Sequence, residues 1–171
     1  TVRTWIDEEQ LIGFEALYES MELCKKRVMW KDSVACFYHN YIRELLKLET
    51  ELKNGTYKQR RPYFFEVTEP KRRMIMSTAY RDRIVQRSLD ENLIKPYLEK
   101  MLIYDNYACQ RGKGTKMARN RMKCFMQRHY RKYGTEGYIL KGDIKGYYPN
   151  MRHDIVERVM KETFGEDYKH L

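Results

Sequence analysis

Apolar residues recur at three- and four-residue steps through the first third of the chain, the period of a helix with one buried face. Ile6, Leu11, Ile12, Phe14, Leu17, Tyr18, Met21 and Leu23 mark such a face and predict a helix over 5–29. Val34, Phe37, Tyr38, Tyr41, Ile42, Leu45, Leu46 and Leu48 predict a second over 32–53, which Asn54-Gly55 ends because glycine accepts the left-handed backbone of a helix stop. The two stripes are expected to pack on each other. The period then changes. Two short runs, 63–68 and 73–77, joined by Glu69-Pro70-Lys71-Arg72, predict an antiparallel hairpin with a basic tip.

Helical spacing returns at 80–99, with Ile84, Val85, Leu89, Leu93 and Ile94 inward and Pro96 as a kink or breaker near the end. LIYDNYACQRGKGT, residues 102–115, is a loop by composition, and Thr115 is placed to cap a helix over 116–133. Met117, Met122, Phe125, Met126 and Tyr130 form a loose stripe on that helix, expected to be core. Tyr138-Ile139-Leu140 has the character of a buried strand, which would leave Asp143 at or near its C-terminal end as either a site residue or a turn former. His153-Asp154 opens a last helix to about 163, ended by Gly165. The reading is α+β and mainly helical.

At 171 residues the length fits about one domain. Cys24, Cys36, Cys109 and Cys124 are too scattered for a thiolate metal site and read as ordinary small hydrophobes of a reduced, cytoplasmic protein. No apolar run nears the ~18–20 residues of a membrane span, and TVRTWIDEEQ has no apolar leader core. Charge alters the picture more. There are 34 Lys+Arg against 24 Asp+Glu, and the excess is clustered. Lys58, Arg60, Arg61, Lys71, Arg72, Arg73, Arg81, Arg83 and Arg87 form one group. Arg111, Lys113, Lys116, Arg119, Arg121, Lys123, Arg128, Arg131 and Lys132 form another, with no acid between Asp105 and Glu136. The first group is diluted only by Glu66, Glu69 and Asp82, and since a solvated helix face usually mixes signs, fields of this kind point to a polyanion.

Three further segments occur in a telling order: YRDRIVQRSL at 80–89, YACQRGKGT at 107–115 and GDIKGYYPNM at 142–151. Together with GTYKQRRPYFFEVTEPKRRMIMS upstream they resemble the N-terminal half of a reverse transcriptase of the bacterial group II intron and diversity-generating retroelement branch, over about residues 33–164. The resemblance implies an N-terminal helical extension (1–55), fingers with a short antiparallel hairpin (56–135) and the first strand and helix of the palm (136–171). It implies an RNA-directed DNA polymerase that joins a primer 3′-hydroxyl to an incoming dNTP with two Mg²⁺ ions, on an RNA template with a DNA primer or RNA–DNA hybrid. A structured retroelement RNA is a further implied partner.

Residue by residue, the resemblance makes Asp143 the first metal-binding carboxylate and gives the main-chain carbonyl of Ile144 to the nucleotide-side metal. Tyr148 matches the aromatic gate beneath the sugar, where a ring excludes a 2′-hydroxyl. Tyr147 would face the other way in an extended segment and reads as a core aromatic. Arg73 matches the arginine of the family's R-P-L-G-I-P stretch, although Met74-Ile75-Met76 carries neither its proline nor its glycine. Lys71 and Arg72 at the tip are further phosphate candidates. Arg81 and Arg83 flank Asp82 and are either phosphate contacts or a structural brace. Arg111, Gly112, Lys113 and Gly114 precede a helix N-terminus, where backbone N–H groups favour phosphate, and with Lys116 and Arg119 they match the template–primer track. Asp154 reads as a helix-start acid. The family's aromatic-x-Asp-Asp turn does not occur in these residues. The expectation is therefore a fragment with an incomplete two-metal site, inactive alone but able to bind nucleic acid. Two alternatives stand beside it: a non-catalytic basic RNA-binding module, and an RNA-dependent RNA polymerase fragment, against which the aromatic gate argues.

Overall fold

A computed structural model describes residues 8–165. Eight α-helices and one two-stranded antiparallel sheet are found among them, and the chain divides at Pro96 and Tyr97 into two compact units.

The first unit opens with α1 (Glu8–Ile12) and α2 (Phe14–Lys25), where the sequence predicts one helix over 5–29. Ile6 and residues 5–7 of that helix lie outside the described residues. Gly13 divides the two helices with an extended ψ of 159°, and it is buried against the preceding turn. A Cβ here would collide with the carbonyl oxygen of Glu9, so no larger residue fits so sharp a corner. The second predicted helix is also two, α3 (Asp32–His39) and α4 (Tyr41–Lys53), broken at Asn40. Gly55, at φ 64°, turns the chain after α4 as the sequence implies.

β1 (Tyr63–Val67) and β2 (Arg73–Ser77) pair in register from Tyr63 opposite Ser77 to Val67 opposite Arg73. α5 (Tyr80–Leu89) follows, then a π-helical stretch, Asp90–Ile94, and α6 (Lys95–Met101). The sequence predicts one helix with a kink at Pro96. Instead the ladder widens one turn earlier, where the proline ring would press on the carbonyl of Asn92 and where a π turn makes room for it.

Leu17, Met21, Val34, Leu45, Leu48, Tyr80, Ile84 and Val85 form the core of this unit, drawn from α2, α3, α4 and α5. The two N-terminal stripes do pack as expected, with α5 completing the layer. The phenol of Tyr80 donates to the carbonyl of Met21 at 3.3 Å, and its burial raises the hydroxyl's pKa to about 12.

The second unit is built on α7 (Thr115–Tyr133) and α8 (His153–Phe164). α8 ends at Gly165, at φ 58°, and buries Phe164 edge-on against Tyr97, ring centroids 4.9 Å apart. Four expectations are corrected here. Residues 138–140 form no strand, and Tyr138 and Leu140 are almost wholly exposed, because among the described residues no second strand in this unit takes up their N–H and C=O groups. The α7 stripe is not core, since no residue of that helix is buried. Gly114, not Thr115, occupies the N-cap, and Thr115 is already helical. Cys36, Cys109 and Cys124 are exposed rather than packed, and only Cys24 is half-buried. No helix among the described residues is long and apolar enough to cross a membrane.

Candidate nucleic-acid interface

Of the two roles open to Arg81 and Arg83, phosphate contact or brace, the local geometry of Arg81 is that of a brace. Asp82 is fully buried and accepts the phenol of Tyr57 at 2.7 Å and the backbone N–H of Arg60 at 3.0 Å. The Arg81 guanidinium, itself buried, is bonded to Glu51 and lies 3.7 Å from Asp82. Its hydrogen bond holds the Glu51 carboxyl below the usual carboxylate range, while burial and the Asp82 acceptor push the Tyr57 phenol up. The network ties residues 57–60, the lead into the hairpin, to α4 and α5. Asp82→Ala is expected to cost about 3–5 kcal/mol of stability, since it strands a buried phenol and a backbone donor and takes a carboxylate from beside the buried Arg81, whereas Arg83→Ala, on a partly buried neighbour, should cost far less. Chemical denaturation of the two variants checks the difference.

Lys71, Arg72 and Arg73 are exposed at the hairpin's tip and its return strand, with Arg72 bonded to Glu66 across the hairpin. These three belong to the first unit, as does Arg81. The other candidate residues belong to the second.

In the second unit the loop before α7 is held by a contact that periodicity does not disclose. Asp105 takes a bidentate hydrogen bond from Arg121, at 2.9 and 3.2 Å, and a further one from the Tyr107 phenol. The Arg121 bond leads in holding the Asp105 carboxyl below its ordinary pKa. Lys113 reaches back to the carbonyl of Tyr104 at 2.7 Å and sits over that ring, on which Arg121 also lies. The last acid before the basic run thus takes Arg121 and, through the loop, occupies Lys113. Gly112 has φ 72°, which suits glycine alone at little cost, and Gly114 leads into α7 with no side chain capping its first N–H groups. Arg111, Lys116 and Arg119 are exposed around this helix start.

α7 is divided lengthwise. Lys116, Lys123, Arg128, Arg131 and Lys132 share one broad face, and the helix carries no acid. Arg128, Arg131 and Lys132, with Cys124 and Gln127, line a shallow depression of about 450 Å³. On the opposite side Met122, Phe125, Met126 and Tyr130 line a cavity of about 360 Å³ with Tyr138 and Ile139. The chain after α7 doubles back over this apolar side, secured by His129, whose Nε2–H donates to the carbonyl of Glu136 at 2.6 Å.

Asp143 and Ile144 are exposed in an irregular stretch, and a turn with Gly146 at φ 62° carries the chain on to Tyr148. Tyr147 is not the core aromatic expected of an extended segment. It is about half exposed, and its ring meets that of Tyr148 edge-on at 5.3 Å because the backbone turns between them. Asp154 lies in the first turn of α8 with Arg152 bonded to it, and that bond leads in lowering its pKa, as a helix-start acid should be placed. The Asp143 carboxylate and the Ile144 carbonyl are hard oxygen donors of the kind Mg²⁺ takes, and they amount to two of the roughly six ligands it needs. Among the described residues no group of three or more His, Cys, Asp or Glu side chains is gathered where it could hold a metal ion.

No model of a known protein family matches the chain, and no curated protein matches it.

Proposed function

We propose that the chain is the fingers and first palm segment of an RNA-directed DNA polymerase, and that it grips the backbone of an RNA–DNA hybrid in the cytoplasm. The observation that carries the nucleic-acid part is the acid-free cationic face of α7, which continues at its N-terminus into uncapped backbone N–H groups and exposed Arg111, Lys116 and Arg119. Phosphate recognised by such a face is read without regard to base sequence, as copying any template demands. Lys71 and Arg73 on the hairpin serve the triphosphate of the incoming dNTP. Arg81 acts behind them as the brace rather than at the nucleotide.

The polymerase part rests on the order of the four segments and on the exposure of Asp143, Ile144 and Tyr148 in one irregular stretch. Asp143 and the Ile144 carbonyl would hold Mg²⁺, which when bound acidifies the primer hydroxyl and neutralises charge on the leaving pyrophosphate. Tyr148, whose ring is 82% exposed, is free of core duty and can lie beneath a sugar. In a protein that carries this segment with its aromatic-x-Asp-Asp turn, Tyr148→Ala should admit ribonucleotides, while Tyr148→Phe should keep the preference for deoxynucleotides. Steady-state incorporation of a matched dNTP and rNTP pair tests it. An unchanged ratio in the Ala variant removes Tyr148 from the gate, and absence of any primer extension leaves the basic RNA-binding module as the better description.

A further inference from the structure

Trp30 is 78% exposed on the turn that joins α2 to α3, and Met29 beside it is exposed too. The indole is fixed in that position. Val28 and Lys31 donate their backbone N–H groups to the carbonyls of Lys25 and Val28, each at 3.1 Å, and the indole N–H donates to the carbonyl of Arg27 at 3.2 Å. Arg27 itself stands at φ 65°, a left-handed backbone that a side chain disfavours. With its one polar group satisfied inside the turn, the rest of the ring is apolar, and the Lys31 ammonium sits over it, 5.3 Å from the centroid. Lys26, Arg27 and Lys31 make this knob cationic, and residues 26–31 hold no acid.

A groove of opposite charge lies toward the other end of α2. Glu9, Glu15, Glu19 and Glu91 line a hollow of about 520 Å³ whose lining includes the apolar Ala16 and Pro96. Glu9 and Glu91 already hold Lys53, Arg87 and Lys95, but Glu15 and Glu19 are exposed and bear no cation among the described residues. A hollow of this size takes a ring system, and its carboxylates suit the knob's cations. Both features belong to the first unit. Between Glu15 and Lys25 the helix rises about 15 Å, so the short turn after it does not return Trp30 to the groove of its own chain.

We infer that the Trp30 knob docks in the acidic groove of a second copy of this chain, with the indole entering the hollow and Lys26 and Arg27 meeting Glu15 and Glu19. A buried tryptophan anchor inside a charged rim is the composition of an energetic interface centre. The two surfaces differ, so the contact is head-to-tail, and each pair keeps one knob and one groove free to extend or to close a ring. The contact uses neither α7 nor the hairpin and stands apart from the nucleic-acid reading.

Sedimentation velocity of the nuclease-treated chain tests it. Association should grow with concentration and weaken with added salt. Trp30→Ala should weaken it by about 30-fold, the loss expected of an anchor residue. Glu15→Lys/Glu19→Lys should weaken it by a similar factor, and both variants should melt as the wild type does because the altered side chains are exposed. Mixed one to one, the two variants should form a dimer and nothing larger, since the intact groove of one takes the intact knob of the other. A wild-type chain that stays monomeric overturns the inference, as does association that survives either variant or a mixture that fails to pair. A monomer that loses oligonucleotide or anionic-vesicle binding on Trp30→Ala assigns the knob to that anion and overturns it as well.

Discussion

Asp143→Asn is expected to lower RNA-templated primer extension by about 10³-fold or more in a protein that carries this segment with its remaining catalytic carboxylates. The expectation follows from the chemistry of the ligand. Asparagine preserves the shape and one oxygen of the side chain but not the charge that balances a divalent ion, and electrostatic stabilisation by a bound metal contributes several kcal/mol to such a transfer. The side chain is exposed and sits outside any helix or strand, so the same substitution should leave the melting temperature nearly unmoved. That pairing of outcomes separates a metal ligand from a turn former, the other role open to Asp143. A turn former would show a change in stability and only a modest change in rate. Extension by the Asn variant at wild-type rate would take Asp143 out of the site.

The second large effect is on binding. Lys116, Arg119, Lys123, Arg128, Arg131 and Lys132 are six exposed cations on a helix without an acid. If each neutralises one phosphate, the logarithm of affinity falls with the logarithm of salt at a slope of roughly −4 to −5, and raising salt from about 50 to about 200 mM weakens binding by about 10³-fold. Arg121 is left out of this sum. Its guanidinium is bound to Asp105 in a bidentate pair, so Arg121→Gln should disturb the loop before α7 more than the salt slope.

The elements whose apolar period is regular were legible in the sequence, and those that depend on a single residue's backbone or on a distant partner were not. The hairpin falls within a residue of its predicted bounds, because Pro70 and the flanking β-branched and aromatic residues act locally. The core residues Leu17, Met21, Leu45, Leu48, Ile84 and Val85 follow from helical spacing alone. The breaks at Gly13 and Asn40 did not show, since the stripes continue in phase across them and only the close approach of Glu9 to Gly13 requires the first corner. Residues 138–140 illustrate the opposite error. Their composition suits a strand, but a strand is a property of a pair, and propensity without a neighbour leaves the segment irregular.

The candidate site was read in the same uneven way. Clustering of charge located the cationic helix, but the sign count could not say which cations were already committed. Asp105 lies sixteen residues before Arg121, a separation with no helical or strand meaning, so only the fold reveals that pair. Arg81 and Arg83, on either side of Asp82, read equally as phosphate contacts or as a brace. Burial decides it, because a carboxylate at zero exposure that accepts from Tyr57 and Arg60 has its work inside the protein.

The central claim, that the α7 face is where the nucleic-acid backbone lies, is tested most directly by the salt dependence of RNA–DNA hybrid binding in the wild-type chain and in the triple variant Arg128→Gln/Arg131→Gln/Lys132→Gln. These three side chains line the depression on the cationic side and are not part of the core, so the variant should melt as the wild type does. Each lost phosphate contact reduces the magnitude of the slope by about one, so the account predicts a decrease of about three with no change in sequence preference. An unaltered slope in a folded variant would contradict it.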